Sequence, residues 1–315
     1  MAITATILAD VLESEKKGQA FSSVSVTALA VKKALDEDSD FKETLIQLIR
    51  EHQYVVEDKS LLLWAKGSNH YPYNSFDSDS ATRAAYIGEF YDDFEEMQSA
   101  AAMIAGITHN HPEGIKGAVV AATCVWMAKR GYSKEDIYRY VKTQYPWNQY
   151  EFSIANSLEE ICYKDRDGDA FWQNTCQCCV PLAMRCFYES DNYESFVENV
   201  NSLPFDSRVL RAISGGVAEE YFNDFYDSFS GEPNIENDIR DSLSADLYEI
   251  YSKNHVFYAH YIYCEVCHEY IDEEEWEDHD AYGHLSGDDL ALYEYEQAME
   301  EYYKSLEEEN LAILS

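Results

Sequence analysis

Helical periodicity runs through most of this 315-residue chain and constrains its fold more than any other feature. Apolar residues recur at three- and four-residue steps, whereas the two-residue alternation typical of strands is scarce. The periodic segments are VTALAVKKALDE, FKETLIQLIREH, FEEMQSAAAMIAGITH, GAVVAATCVWMAKRG, SKEDIYRYVKTQ, CVPLAMRCFYES and YESFVENVNSL. This pattern predicts an all-α fold.

Several helix ends are marked in the sequence. Ser133, followed by two acidic residues, is a typical helix start, and Asp191 and Asn192 stand in the same place before YESFVENV. Gly131 ends the helix before Ser133, because glycine tolerates the left-handed conformation found there. We therefore expect a series of short-linked helices.

Charge divides the chain into two parts. Residues 226–315 hold 25 acidic against 3 basic residues, and residues 1–225 hold 35 against 20. Because single cores stop growing near about 250–300 residues, the length allows one large core with a small appendage. We predict a helical domain at 1–225 and an acidic extension at 226–315.

The net charge of −37 restricts the partners of the chain. Such a field repels nucleic acid and anionic membranes, so direct nucleic-acid binding is disfavoured, and it attracts basic protein surfaces. Solubility alone is the other explanation of the charge. The N-terminal run lacks a basic region and contains Asp10, and no apolar run reaches the roughly 18 residues of a membrane span. These features predict a cytoplasmic protein without membrane contact.

Eight cysteines in a chain of this length indicate buried thiols and a metal site rather than a disulfide framework. The loop CYKDRDGDAFWQ at 162–173 has aspartates at alternate positions, as calcium loops do. It lacks the glutamate at the twelfth position that binds calcium through both oxygens, so a solvated acidic turn is favoured.

Six segments, in order, resemble the ADP-ribosylglycohydrolase family over residues 5–222. They are ATILADVLES (family G-A-x-x-G-D-x-x-G-S), FSSVSVTALAVKKAL (T-D-D-T and a helix), SFDSDSATRAAYIG (G-N-G-x-A-M-R), THNHPEGIKGA (close to the family form), TCQCCVPLAMRCFYES (S-C-x-x-S-V-P-x-A) and NSLPFDSRVLRAISGGVAEEYF (G-G-D-S-D-T). The resemblance implies a compact all-α fold with a two-magnesium site that cleaves ADP-ribose from a modified group.

The acids that such a metal site needs are mostly absent. Magnesium takes oxygen ligands, and carboxylates must neutralise two dications held close together. At the T-D-D-T position the chain has Ser-Ser-Val-Ser (22–25), and at G-G-D-S-D-T it has Pro-Phe-Asp-Ser-Arg-Val (204–209). Asp10 and Asp206 remain as vestigial acids, and we expect Arg208 to pair with Asp206. Magnesium is therefore not expected, and the chain is predicted to be a pseudoenzyme.

The loop resembling G-N-G-x-A-M-R has Asp77 and Asp79 in place of two glycines, which would repel a phosphate. The best-preserved stretch is GITHNHPEGIKGA at 106–118. It has two interpretations. One is a helix junction, with Pro112 at a helix start and Gly114 and Gly117 for close packing; the other is a vestigial ligand pocket. The pocket residues would be His109, Asn110, His111 and Glu113.

A second motif lies in the acidic extension. The spacing Cys264-x2-Cys267-x11-His279-x4-His284 is that of a Cys2His2 zinc finger, with apolar residues between the two pairs. We expect structural zinc, with unligated cysteines and surface histidines as the alternative. The intervening DEEEWED run faces repulsion from phosphate, so a structural or protein-binding finger is favoured over a nucleic-acid-binding one.

The last segment, SGDDLALYEYEQAMEEYYKSLEEENLAIL, predicts a helix that starts at Ser286. Its apolar stripe has two interpretations. It packs within the chain, or it forms a surface for a partner or for self-association. The stripe consists of Leu292, Tyr295, Met299, Tyr302 and Leu306.

Three functions are compatible with these features. The first is a non-catalytic, acidic module that binds or inhibits a protein with a basic surface. One version of it is a DNA mimic that occludes a nucleic-acid-binding surface of defence machinery. The second is an active ADP-ribosyl hydrolase with a rearranged metal site. The third is a sensor that binds ADP-ribose or another nucleotide without turnover.

Overall fold

The computed structural model describes residues 5–7, 9–10, 14, 21–146, 149, 153–158 and 174–223, and the backbone of 261–264 and 269–272. Helical residues at 5–7 and 9–10 precede eleven further helices in these ranges. They are α1 (Ser23–Asp36), α2 (Phe41–Glu51), α3 (Lys59–Lys66), α4 (Asp79–Thr82), α5 (Ala85–Phe90), α6 (Phe94–Gly106), α7 (Pro112–Lys129), α8 (Lys134–Gln144), α9 (Cys176–Tyr188), α10 (Tyr193–Asn201) and α11 (Ser207–Phe222). A 3-10 turn, Gln53–Val55, lies between α2 and α3.

Helix α7 is the centre of the fold. It packs against α4, α5, α6, α8, α9 and α11. Its sequence, PEGIKGAVVAATCVWMAK, is apolar or small on nearly every face, as expected for a helix surrounded by others. Small residues also let α9 approach closely, because a Cβ on Gly117 would lie 2.3 Å from Cys176 Sγ. The all-α prediction is confirmed for this helical assembly.

The helix ends follow the local sequence signals. Ser133 caps α8 in a reciprocal capping box with Asp136, and Asn192 caps α10. Gly131 follows α7 with a φ of 74°, in the left-handed region that glycine adopts readily. These three predictions are confirmed.

The N-terminal helical residues dock on α11, the last helix of the described assembly. Thr6 Oγ1 donates to the Ala212 carbonyl over 3.1 Å, and the Ala5 amide donates to Glu219 over 3.2 Å. Glu219 is buried, and burial raises its pKa to about 7. The two ends of the helical assembly are therefore held together partly by polar contacts.

Five cysteines in the described ranges, Cys124, Cys176, Cys178, Cys179 and Cys186, are buried thiols, as expected. Burial raises the pKa of Cys124, which favours the uncharged thiol at neutral pH. Among the described residues, no helix combines the length and apolarity needed to cross a membrane.

Within the described part of the extension, β1 (Tyr261–Cys264) and β2 (Glu269–Asp272) pair antiparallel, with Cys264 opposite Glu269. Cys267, His279, His284, the predicted C-terminal helix and the 162–173 loop lie outside the described residues. The proposed boundary at 225/226 stays a prediction.

Candidate functional site

Asp10 occupies a buried position beside the start of α1. Its two carboxylate oxygens accept from the backbone amides of Ser22 and Ser25, over 2.8 and 3.1 Å, and from both serine hydroxyls, over 2.6 Å each. Ser14 adds a fifth hydrogen bond at 3.3 Å. These donors fill the acceptor capacity of the carboxylate.

Ser22 and Ser25, which donate to Asp10, stand where the family motif T-D-D-T has its two threonines, and Ser23 and Val24 stand where it has its two aspartates. Ser22 also caps α1, accepting from the Val24 amide over 3.2 Å. Val24 itself is buried and offers no oxygen donor from its side chain. This position therefore consists of one carboxylate enclosed by amides and hydroxyls.

Asp206 lies at the start of α11, where its side chain accepts from the Arg208 amide over 2.9 Å. Arg208 is 6% exposed, and its guanidinium approaches Asp206 at 2.8 Å and Glu57 at 3.2 Å. Hydrogen bonding to Asp206 raises the pKa of Arg208, so its charge is permanent. The expected pairing of Arg208 with Asp206 is observed. Glu57, 151 residues away in sequence, is a second partner that the sequence did not reveal.

The residues present do not fit a two-magnesium site. Asp10 is enclosed by hydrogen-bond donors, and Asp206 faces a guanidinium instead of a second carboxylate. A fixed cation opposes a divalent ion, and the enclosed carboxylate would have to lose its donors to bind one. Within the described ranges, no group of three or more His, Cys, Asp or Glu is placed to hold a metal ion.

His109 lies at the junction before α7 and is fully buried. Arg83 Nη2 donates to Thr108 Oγ1 over 2.7 Å, and Thr108 Oγ1 lies 2.7 Å from His109 Nδ1. Because the Asp77 carboxylate faces Nε2 and only accepts, Nε2 carries the proton in the neutral ring, which leaves Nδ1 to accept from the Thr108 hydroxyl. Burial lowers the pKa of His109, which favours this neutral form.

Three carboxylates lie near one another beside this junction, Asp77 in the loop before α4, Asp79 at the first residue of α4 and Asp58 at the cap of α3. Burial raises the pKa of Asp77, but hydrogen bonds from His109 and Ser75 outweigh it, so the net shift is downward. Burial and then the charges of Asp77 and Asp58 raise the pKa of Asp79 well above its ordinary value. Burial and the charge of Asp77 also raise the pKa of Asp58. The raised pKa of Asp79 favours its protonated form, and the buried Arg83 guanidinium offsets part of the remaining negative charge.

The remaining candidate pocket residues make local contacts. Asn110 Oδ1 accepts from the Asn74 amide over 2.8 Å. His111 caps α7, its Nδ1 accepting from the Glu113 amide over 3.1 Å, and Glu113 pairs with Lys116 at 2.8 Å. Each therefore stabilises the helix junction. Binding of a ligand by His109, Asn110, His111 and Glu113 stays a prediction.

The junction itself has the geometry expected from its sequence. Pro112 is the first residue of α7, where its missing amide hydrogen costs nothing. A Cβ on Gly114 would lie 2.7 Å from the Ser75 carbonyl oxygen. The predicted helix start and the close packing of Gly114 and Gly117 are confirmed.

The ADP-ribosylglycohydrolase family model matches residues 8–218. The chain belongs to the ADP-ribosylglycohydrolase family. The resemblance seen in six sequence segments is thereby confirmed, and the family is one of glycohydrolases.

A solved structure titled "ADP-ribosylglycohydrolase-related protein complex" is similar to the chain, with 18% identity and a TM-score of 0.47. That match covers 64% of this chain and 71% of the other. No curated protein matches the sequence.

Proposed function

We propose that this ADP-ribosylglycohydrolase-family chain is non-catalytic and acts as an acidic module that binds a protein with a basic surface. The contact between Arg208 and Asp206 carries the first half of the proposal. Family chemistry depends on carboxylates that neutralise two magnesium ions, and here a guanidinium holds the remaining acid of one motif.

The environment of Asp10 supports the same conclusion independently. Two backbone amides and three hydroxyls donate to it, so a metal ion would have to displace several buried hydrogen bonds. The helices that carry the two positions, α1 and α11, pack against each other. Protein groups therefore occupy both acid positions, the one at Asp10 and the one at Asp206.

The charge of the chain supports the second half of the proposal. A net charge of −37 steers a basic surface toward the protein and repels nucleic acid. A partner whose basic surface binds nucleic acid would be occluded by such a module, which then mimics DNA charge. Inhibition of this kind is the form of activity that we propose, in preference to hydrolysis.

We also propose structural zinc in the extension, held by Cys264, Cys267, His279 and His284. The antiparallel hairpin supports it, because β1 ends at Cys264 and zinc knuckles commonly connect two strands. Elemental analysis should find about one zinc per chain, lost in Cys264→Ser. Full zinc content in that variant would contradict the proposed ligand set.

Restoring the motif acids tests the non-catalytic proposal. Ser23→Asp, Val24→Asp and Arg208→Asp together would return carboxylates to both positions. We expect magnesium to raise the melting temperature of this triple variant and to leave that of the wild type almost unchanged, since only a native-state site yields a shift. An equal, saturable shift in the wild type would overturn the proposal.

The binding half is tested by isolating the partner and measuring its affinity at low and high salt. The partner should have a basic surface, weaker binding at high salt, and displacement by duplex DNA. Tight, salt-independent binding to a neutral or acidic protein would contradict it.

A further inference from the structure

An aromatic surface lies where α5, the start of α6 and the end of α7 meet. Phe90, Phe94 and Tyr132 are 43%, 36% and 42% exposed, which is high for large apolar side chains. Ring contacts connect them to their neighbours, with Phe90 5.1 Å from Tyr91 and Phe94 5.0 Å from Trp126. We call Phe90, Tyr91, Phe94, Trp126 and Tyr132 the aromatic patch.

Polar contacts fix Trp126 and the Tyr91–Asp92 backbone within the aromatic patch. The Arg130 guanidinium stacks on Trp126 at 4.1 Å and donates to the carbonyls of Tyr91 and Asp92 over 3.2 and 2.9 Å. Trp126 Nε1 also donates to the Asp92 carbonyl over 3.1 Å. Rigid rings lose little conformational entropy on binding, so a preorganised patch favours affinity.

Carboxylates surround the aromatic patch. Glu96 and Asp38 raise the pKa of Tyr91 through their charge, after a larger effect of burial, so both lie close to the ring. The α6 cap and first turn add exposed acids, and the Asp92 side chain is 99% exposed. The rim consists of Asp38, Glu89, Asp92, Asp93, Glu95 and Glu96.

The cations nearest the patch do not balance this rim. Arg130 pairs with Asp92 at 2.9 Å, and Lys129 donates to the Glu89 carbonyl over 2.7 Å. A third cation, Lys32, lies over the Tyr86 ring next to Phe90 and pairs with Asp36, which is not one of the six rim carboxylates, so the rim acids outnumber the cations beside the patch. A second copy of the chain would meet its own acids there, whereas a basic partner would gain from each of them.

We infer that the aromatic patch is the docking surface for a basic protein segment that carries an aromatic side chain. The aromatic side chain packs among the rings at the centre, and lysines or arginines face the acidic rim. This inference rests on the proposed function, because it assigns a place on the molecule to binding of a basic partner.

Two peptide probes test the inference on the full chain: a short Lys/Arg peptide with one central tryptophan, and the same peptide with serine instead. Binding is measured by fluorescence anisotropy for the wild type and for Phe90→Ser with Phe94→Ser. The tryptophan peptide should bind the wild type more tightly, and the double variant should lose about tenfold in affinity for it. Met103→Ser is the matched control, because Met103 is 62% exposed on α6 and lies outside the patch; it should bind as the wild type does.

A charge variant supplies a second readout. Glu95→Gln with Glu96→Gln should weaken both peptides and reduce the salt dependence of binding, while leaving the preference for tryptophan unchanged. Equal affinity of the tryptophan peptide for the wild type and the patch variant would overturn the inference and leave the proposed function standing. If neither peptide binds the wild type, both the inference and the proposed function are overturned. Self-association of the wild type that Phe94→Ser abolishes, seen by sedimentation velocity, would overturn the inference in favour of a second copy.

Discussion

The junction before α7 stays close to its family motif, whereas the two acid positions next to α1 and α11 have lost most of the residues of theirs. At the junction, Pro112 begins the helix, and Gly114 and Gly117 allow contacts that a Cβ would prevent. At the acid positions, oxygen donors have given way to Val24 and Arg208. Close backbone packing admits few substitutes, whereas a ligand set can be replaced by hydrogen bonds and an ion pair without loss of the fold.

The comparison predicts that the two remaining acids now stabilise the fold. Asp10→Ala leaves two buried amides and three hydroxyls without their acceptor, so the free energy of unfolding should fall by about 4 kcal/mol. Asp40→Ala, which removes only the exposed cap of α2, should cost about 1 kcal/mol. Urea unfolding measures both. Unchanged or higher stability in Asp10→Ala would contradict a stabilising role of Asp10 and favour a role in binding a ligand.

The pH dependence of stability tests the docking of the N-terminal helical residues on α11. Burial raises the pKa of Glu219 to about 7, so its native state holds a proton that the unfolded chain releases near the ordinary carboxyl pKa. Its stabilising effect is complete at lower pH and is lost as the pH rises to about 7. Relative to Glu219→Gln, the wild type should lose about 3 kcal/mol of unfolding free energy across this range, at about 1.4 kcal/mol per pKa unit.

The isosteric variant is the control for that measurement, since glutamine can still accept from the Ala5 amide. Subtracting its stability at each pH removes the effect of the other carboxyl groups. A constant difference from pH 4 to pH 8 would contradict the raised pKa.

A smaller effect is expected at the guanidinium. Arg208→Met removes the charge that Asp206 and Glu57 share, and it should lower the unfolding free energy by about 2 kcal/mol, because both acids retain partial contact with water. Arg139→Ala removes an exposed pair on α8 and should cost about 0.5 kcal/mol at most. Chemical denaturation of both variants provides the comparison. An equal loss in the two would place Arg208 outside the structural core.

The smallest effect concerns the junction itself. His111→Ala removes the α7 cap and should cost about 1 kcal/mol, and His111→Asn, which can cap, should retain most of it. Thermal unfolding distinguishes the two. An equal loss in both variants would contradict the capping role.

Local features of the molecule could be predicted from sequence because their causes are local. Ser133, Asn192 and Gly131 act on residues within one helical turn. The pairing of Arg208 with Asp206 belongs to the same class, since the two are neighbours at a helix start.

Contacts between distant segments could not be predicted. Glu57 reaches Arg208 across 151 positions, and His109 reaches Asp77 across 32. Such pairs depend on how helices pack, which periodicity does not encode. The aromatic patch was missed for the same reason, because its rings come from three segments whose own patterns predict only helices.

The most direct test of the account is release of ADP-ribose from an ADP-ribosylated protein by the wild-type chain in magnesium. Asp206→Ala is assayed beside it. If protein groups fill both acid positions, the wild type should release no more ADP-ribose than the variant or a protein-free blank. Magnesium-dependent release by the wild type that Asp206→Ala abolishes would contradict the account and make this chain an active hydrolase.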